Sequence, residues 1–208
     1  MRKAEKTMSF QIIAVTNRAL CAEPLPTRVA KLCAAGIDRV IVREKDLPER
    51  DYIALVHAIL HELALDERDK IVVNTFVDVA QELGIPRVQL PLPELNNHRD
   101  FSHEFHEVGV SVHGVSEAAL AQKLGADYLI AGHIFPTDCK ADLAPRGLTF
   151  LREVCDAVSL PVYAIGGIEK ETIASVHDTG AAGACLMSSL MLCADPAEEL
   201  QRLRAALY

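Results

Sequence analysis

The chain alternates short β-branched apolar runs with longer stretches whose apolar positions recur at helical spacing. QIIAV (11–15), RVIVR (39–43), KIVVN (70–74), RVQL (87–90), GVSVH (109–113), DYLIAG (127–132), PVYAIG (161–166) and GACLMS (183–188) predict eight strands. Between and after them, TRVAKLCAAG, ERDYIALVHAILHELAL, FVDVAQELG, SEAALAQKLG, LTFLREVCDAV, KETIASVHDTG and AEELQRLRAALY read as helices, several closed by the glycine that helix C-termini prefer. The fourth unit breaks the rhythm, because PELNNHRDFSHEFHE makes a poor helix or an irregular loop. Strand-helix repetition implies parallel strands joined by crossovers. Eight such units suggest an α/β single-domain (β/α)8 TIM barrel over residues 10–208 behind an N-terminal extension, 1–9; an open doubly wound sheet has the same strand count.

Length and composition narrow the classes. A chain of 208 residues supports one well-buried core. With 50% hydrophobic and 24% charged residues, the profile is globular. QIIAV is too short for a signal-peptide core, and no apolar run approaches the ~20 residues of a spanning helix, so a cytoplasmic protein with no membrane partner is expected. The cysteines, Cys21, Cys33, Cys139, Cys155, Cys185 and Cys193, form no C-x-x-C pair and read as free thiols in a reducing compartment, without structural zinc. With 21 basic against 29 acidic residues the net charge is -8, which gives no field to attract nucleic acid. An anionic ligand would have to be met by a few local groups.

The candidate chemistry gathers where the barrel reading puts function, at the C-terminal ends of the strands. AIGGI (164–168) and LMSSL (186–190) follow the last two strands, where small residues let backbone N–H groups approach a phosphate; a tight turn and a helix cap are the structural alternatives. Arg43 and Lys45 lie two apart in VREKD, so both project to one side of an extended chain. There they suit an anion, or else share a solvated charge cluster with Glu44 and Asp46. Asn74, Ser111 and His113 end strands. An imidazole side chain can both take and return a proton near neutral pH, which makes His133, in AGHIFPTDCK (131–140), the leading acid/base candidate. His57 and His61 have a metal pair's i, i+4 spacing, but their helical context favours a solvated face.

The motifs VREK, VN, GVSVH, ALAQKLGADYLIAGHIFPT, GL, PVYAIGGI and GACLMSSL stand in the order and spacing of the thiamine phosphate synthase and TenI superfamily, which residues 10–195 resemble. The resemblance implies a (β/α)8 barrel that binds a thiazole phosphate. Its synthase branch joins a pyrimidine diphosphate to the thiazole with magnesium's help, and carries Q-x-R-E-K, an Asn-Asp pair, G-Q-E-D and G-P-x-F-P-T-x-T-K. Here Ile41 replaces the glutamine, Asn74-Thr75 the Asn-Asp pair, PLPE (91–94) the G-Q-E-D, and GHIFPTDCK the last motif. A threonine hydroxyl cannot supply the carboxylate a hard cation prefers. These departures, with Arg-Gly at 146–147, resemble the thiazole tautomerase (TenI) branch, and the expectation is an isomerase needing no metal or cofactor.

On that expectation His133 is the catalytic acid/base that aromatises a carboxythiazole phosphate tautomer. Gly166, Gly167, Met187 and Ser188 would hold the phosphate; Thr137, Cys139 and Lys140 would line the thiazole. Arg43, Lys45, Asn74 and Ser111 match positions of the pyrimidine-diphosphate site, and Arg43 or Lys45 would attract the substrate carboxylate. Cys139 as a covalent nucleophile is disfavoured, since a proton shift needs none. Thiazole phosphate is the expected small-molecule partner, and a homodimer is left open. The rivals are a thiamine phosphate synthase and a regulatory protein that binds thiazole phosphate without turnover.

Overall fold

The computed structural model describes residues 9–97, 104–137, 140 and 142–207. Eight parallel strands close into one barrel in sequence order: β1 (Gln11–Val15), β2 (Arg39–Val42), β3 (Ile71–Asn74), β4 (Arg87–Pro91), β5 (Glu107–Val112), β6 (Tyr128–Gly132), β7 (Val162–Ile165) and β8 (Gly183–Leu186), with β8 pairing back to β1. Closure excludes the open doubly wound sheet. The helices are α1 (Leu25–Ala34), α2 (Glu49–Glu62), α3 (Val77–Glu82), α4 (Leu92–Asn97), α5 (Val115–Lys123), α6 (Gly147–Ala157), α7 (Ile173–His177), α8 (Ser188–Leu192) and α9 (Pro196–Ala205). None of the described helices is long and apolar enough to cross a membrane.

Alternation along each strand divides the apolar residues between two compartments. In β1, Ile13 and Val15 point into the barrel, where they meet Ile41, Val72, Tyr128, Ile130, Tyr163 and Cys185. Ile12 and Ala14 point outward into the layer between strands and helices, with Val29, Val40, Val56 and Leu203. The rings of Tyr128 and Tyr163 meet edge to face at 5.4 Å. The residues that open β2, β4 and β5 form a charged network: Arg39 Nη1 lies 2.8 Å and Arg87 Nε 3.0 Å from the Glu107 carboxylate, and Arg87 also grips Asp69.

Strand ends differ from the apolar pattern where polar contacts decide them. Strand β5 starts at Glu107 because that carboxylate pairs in register with Arg87. Strand β3 starts at Ile71 because Arg68–Lys70 forms a short 3-10 turn. Strand β2 stops at Val42, leaving Arg43 on the loop. In the fourth unit the poor pattern is a short real helix, α4, and residues 98–103 lie outside the described set. Helix α8 takes Ser188, which the pattern had placed in the last strand.

Thr75 follows β3 with φ of 71°, a left-handed conformation that crowds a β-branched side chain. Its N–H bonds the Gln89 carbonyl at 2.9 Å and holds it there. Thr75→Asn is expected to raise stability by about 0.5 to 1 kcal/mol, because asparagine tolerates this region better. The urea midpoint measures it; an unchanged or lower midpoint contradicts the strain.

Candidate active site

All the expected site residues that the structure describes sit at the C-terminal mouth of the barrel. Arg43 and Lys45 follow β2, Asn74 ends β3, Ser111 lies near the end of β5, Thr137 and Lys140 follow β6, Gly166 and Gly167 follow β7, and Met187 and Ser188 follow β8. Cys139 lies outside the described residues.

The β2 end is fixed by a carboxylate that the sequence reading left among solvated charges. Glu44 is only 4% exposed. It accepts hydrogen bonds from the Thr16 hydroxyl (2.7 Å), the Arg18 backbone N–H (3.1 Å) and Arg18 Nη1 (3.0 Å). Thr16 Oγ1 in turn accepts the Arg43 N–H at 2.9 Å. If Arg43 and Lys45 face the mouth, the residue between them must face the barrel wall; that alternation was the available signal. Arg18 also binds Asp46, which holds the Asp46 carboxyl below its usual range. Glu44→Ala is expected to cost about 2 to 3 kcal/mol, because it strands buried donors beside a half-exposed arginine. A urea titration checks it, and a loss under 1 kcal/mol would contradict the buried role.

Tyr52 joins the next two strand ends. Its hydroxyl donates to the Val42 carbonyl (2.6 Å) and accepts the Asn74 N–H (3.2 Å), while burial pushes its ionisation up. Asn74 Nδ2 donates to Thr75 Oγ1 at 2.8 Å. Gln89, buried within the barrel, donates to Ser111 Oγ at 3.1 Å.

Among the described residues Arg43, Lys45 and Lys140 lie close enough at this mouth to feel one another's charge. The field of Arg43, then partial burial, then the field of Lys140 lower the pKa of Lys45 from 10.5. Lys45 and Lys140 are exposed. Such like-charge crowding disfavours the folded state while Lys45 is protonated, and the penalty fades as pH rises through its lowered pKa. A bound anion removes the penalty.

On the other side, Gly166 and Gly167 have φ of 99° and 65°. A Cβ on Gly166 would lie 2.4 Å from the His133 Cβ, and one on Gly167 would lie 2.3 Å from the Pro136 carbonyl oxygen. The turn therefore brings bare backbone against the start of the β6 loop. Ser188 is exposed at the start of α8, and the neighbouring Ser189 carries a buried hydroxyl without a hydrogen-bond partner. His133 is 5% exposed, with Nε2 3.2 Å from the Leu143 carbonyl oxygen.

A closed (β/α)8 barrel with a paired-glycine turn after β7 has the architecture in which many enzymes place a phosphate site after the last two strands. The sequence profile described as Thiamine monophosphate synthase matches residues 12–190, and the chain belongs to this family. A protein from Syntrophomonas wolfei named thiamine-phosphate synthase is 33% identical over 94% of this chain and 95% of its own. One of that name from Roseiflexus is 35% identical over 94% and 84%. The solved structure of thiamine phosphate pyrophosphorylase from Pyrococcus furiosus superposes with a TM-score of 0.79 at 31% identity, covering 95% of both chains.

These relatives overturn the isomerase expectation. Proteins matched along nearly the whole chain are named as synthases, so the departures at Thr75, at 91–94 and in the histidine motif do not mark a tautomerase. In the structure one nitrogen of the buried His133 ring lies beside a backbone carbonyl within its own loop. A histidine type at a strand end did not reveal that partner.

Proposed function

We propose that the protein is a transferase of the thiamine-phosphate synthase type, joining a pyrimidine diphosphate to a thiazole phosphate. The convergence of Arg43, Lys45 and Lys140 on one mouth carries this reading. In the reaction the thiazole nitrogen forms a bond to the pyrimidine's methylene carbon as the bond from that carbon to diphosphate oxygen breaks; diphosphate leaves with the electron pair. Negative charge grows on the leaving group, so cations already fixed beside it stabilise the transition state more than the ground state.

Arg43 and Lys45, with Asn74 and Ser111, are assigned to the diphosphate substrate. The backbone of Gly166, Gly167 and Met187, with the Ser188 hydroxyl, is assigned to the thiazole phosphate, and Thr137, Cys139 and Lys140 to the side facing the thiazole. Holding both substrates on one rigid rim aligns the attacking nitrogen with the carbon.

The resemblance also implies magnesium at the diphosphate. Among the described residues the chain offers such an ion few ligands at the matching positions: Asn74 donates its Nδ2 to Thr75 and keeps Oδ1, Thr75 offers a hydroxyl, and Glu94 is the one carboxylate in residues 91–94. Among the described residues no three His, Cys, Asp or Glu side chains are grouped to hold a metal. Arg43 and Lys45 are the side-chain cations assigned to the leaving-group charge.

Chromatographic assay with both substrates, each substrate alone, and magnesium present or omitted tests the reading. Thiamine phosphate should form only when both substrates are supplied. Binding of both esters with no product would instead define a binding protein.

A further inference from the structure

The loop that leaves β6 and returns at α6 carries Lys140 to the mouth, and its described residues from Asp142 to Arg146 are exposed, with Arg146 lying over the Phe150 ring. Leu143 is 61% exposed, and Ala144, Pro145 and Arg146 are exposed as well. Hydrogen bonds do the holding. At its root the Arg146 N–H donates to the His133 carbonyl (2.9 Å) and the Gly147 N–H to the Ile134 carbonyl (3.0 Å). Within it, Lys140 N–H donates to the Thr137 carbonyl and Leu143 N–H to the Lys140 carbonyl, both at 3.0 Å.

Among the described residues, the His133 side chain ties this loop to the barrel wall. His133 Nε2 lies 3.2 Å from the Leu143 carbonyl oxygen. A carbonyl only accepts, so Nε2 carries the proton. The root itself is anchored on both flanks. His113 Nδ1 lies 3.0 Å from the Gly132 carbonyl oxygen on the β5 side, and the N–H groups of Ile134 and Phe135 donate to the Ile165 and Gly166 carbonyls on the β7 side. The Cβ of His133 also abuts Gly166, where any added Cβ would collide with it at 2.4 Å. His133 therefore touches the paired-glycine turn with its base and the Lys140 loop with its tip.

We propose that His133 is a positioning residue, a latch whose Nε2–H holds the Leu143 carbonyl and so sets the Lys140 loop against the mouth of the barrel. The imidazole exchanges no proton with substrate. Its consequence for catalysis rests on the transferase reading above; its consequence for the loop does not. With the latch gone the loop must be ordered when the anion binds, and that cost appears in affinity. An interaction made equally in the ground and transition states raises KM when lost and leaves kcat in place.

The test compares His133→Leu, which fills space but cannot donate, with His133→Gln, whose amide nitrogen replaces Nε2 as donor. Amide exchange at Leu143, Arg146 and Gly147 reads the loop in the substrate-free protein, with Val40 in β2 as the control for global stability. In His133→Leu these loop amides are expected to exchange about 10-fold faster with Val40 unchanged, and KM for thiazole phosphate to rise about 10-fold with kcat within about two-fold. His133→Gln should restore both. Loop exchange in His133→Leu equal to wild type overturns the latch, as does a His133→Gln protein with normal loop exchange but kcat lost, which would assign the imidazole a chemical role. Exchange and the equilibrium affinity for inorganic phosphate are read without turnover, so absence of synthase activity would sink the functional reading while these still decide the latch.

Discussion

Lys45→Ala is expected to lower kcat about 100-fold with little change in the urea midpoint. The side chain is exposed, so its removal leaves no cavity. It shares the mouth with Arg43 and Lys140, and removing one preorganised cation from a developing anion costs on this scale. A pH profile sharpens the prediction. Arg43, burial and Lys140 lower the Lys45 pKa from 10.5, so the alkaline loss of kcat/KM should begin earlier than for an ordinary lysine. Lys140→Ala removes one of the two positive neighbours and should move that limb to higher pH, whatever it does to the plateau. A Lys45→Ala enzyme within two-fold of wild type, or a limb that stays put, would remove the cationic mouth from the account.

Gly167→Ala should damage both fold and site. With φ of 65° the added methyl demands a left-handed alanine, and it meets the Pro136 carbonyl oxygen at 2.3 Å and the Phe135 Cβ at 2.8 Å. Neither the carbonyl nor the strand-end loop behind it is the free tip of a flexible side chain, so the backbone has to move. Left-handed strain and overpacking together give a loss of about 2 to 5 kcal/mol. The loop after β6 is displaced with it, because Phe135 N–H is bonded to the Gly166 carbonyl at 3.0 Å. Denaturant titration gives the stability, and phosphate titration of the protein that remains folded gives the site; wild-type values in both would show that the glycine pair is only a convenient turn.

The architecture was readable because period-two apolar runs and helical stretches alternate with few interruptions, and each strand puts its side chains into one of two dry compartments. Where the reading slipped, a polar partner or a very short helix was responsible. Glu107 extends β5 through its arginine partners, and α8 is five residues long, too short for a period to show. The mouth was legible by position alone: residues just past the strand ends could be named without knowing their contacts. Glu44 was not singled out, although the alternation that sends Arg43 and Lys45 one way sends it the other. Its partners Thr16 and Arg18 are 28 and 26 residues distant in the chain, so nothing local announces them. For His133 it was the contact that stayed hidden. Its residue type suggested proton transfer, while its tip binds the Leu143 carbonyl 10 residues ahead, a contact that only the returning loop creates. Reading the substitutions at Thr75 and 91–94 as a change of reaction gave too much weight to a few positions against a likeness that runs along the whole barrel.

Carbon–nitrogen bond formation driven by departure of diphosphate can be watched directly. Phosphorus NMR of the purified protein with pyrimidine diphosphate and thiazole phosphate follows both phosphates at once. Free diphosphate and thiamine phosphate are expected to appear together, one for one, with the yield collapsing in Lys45→Ala. Diphosphate signals that stay unchanged while both substrates are bound would contradict it.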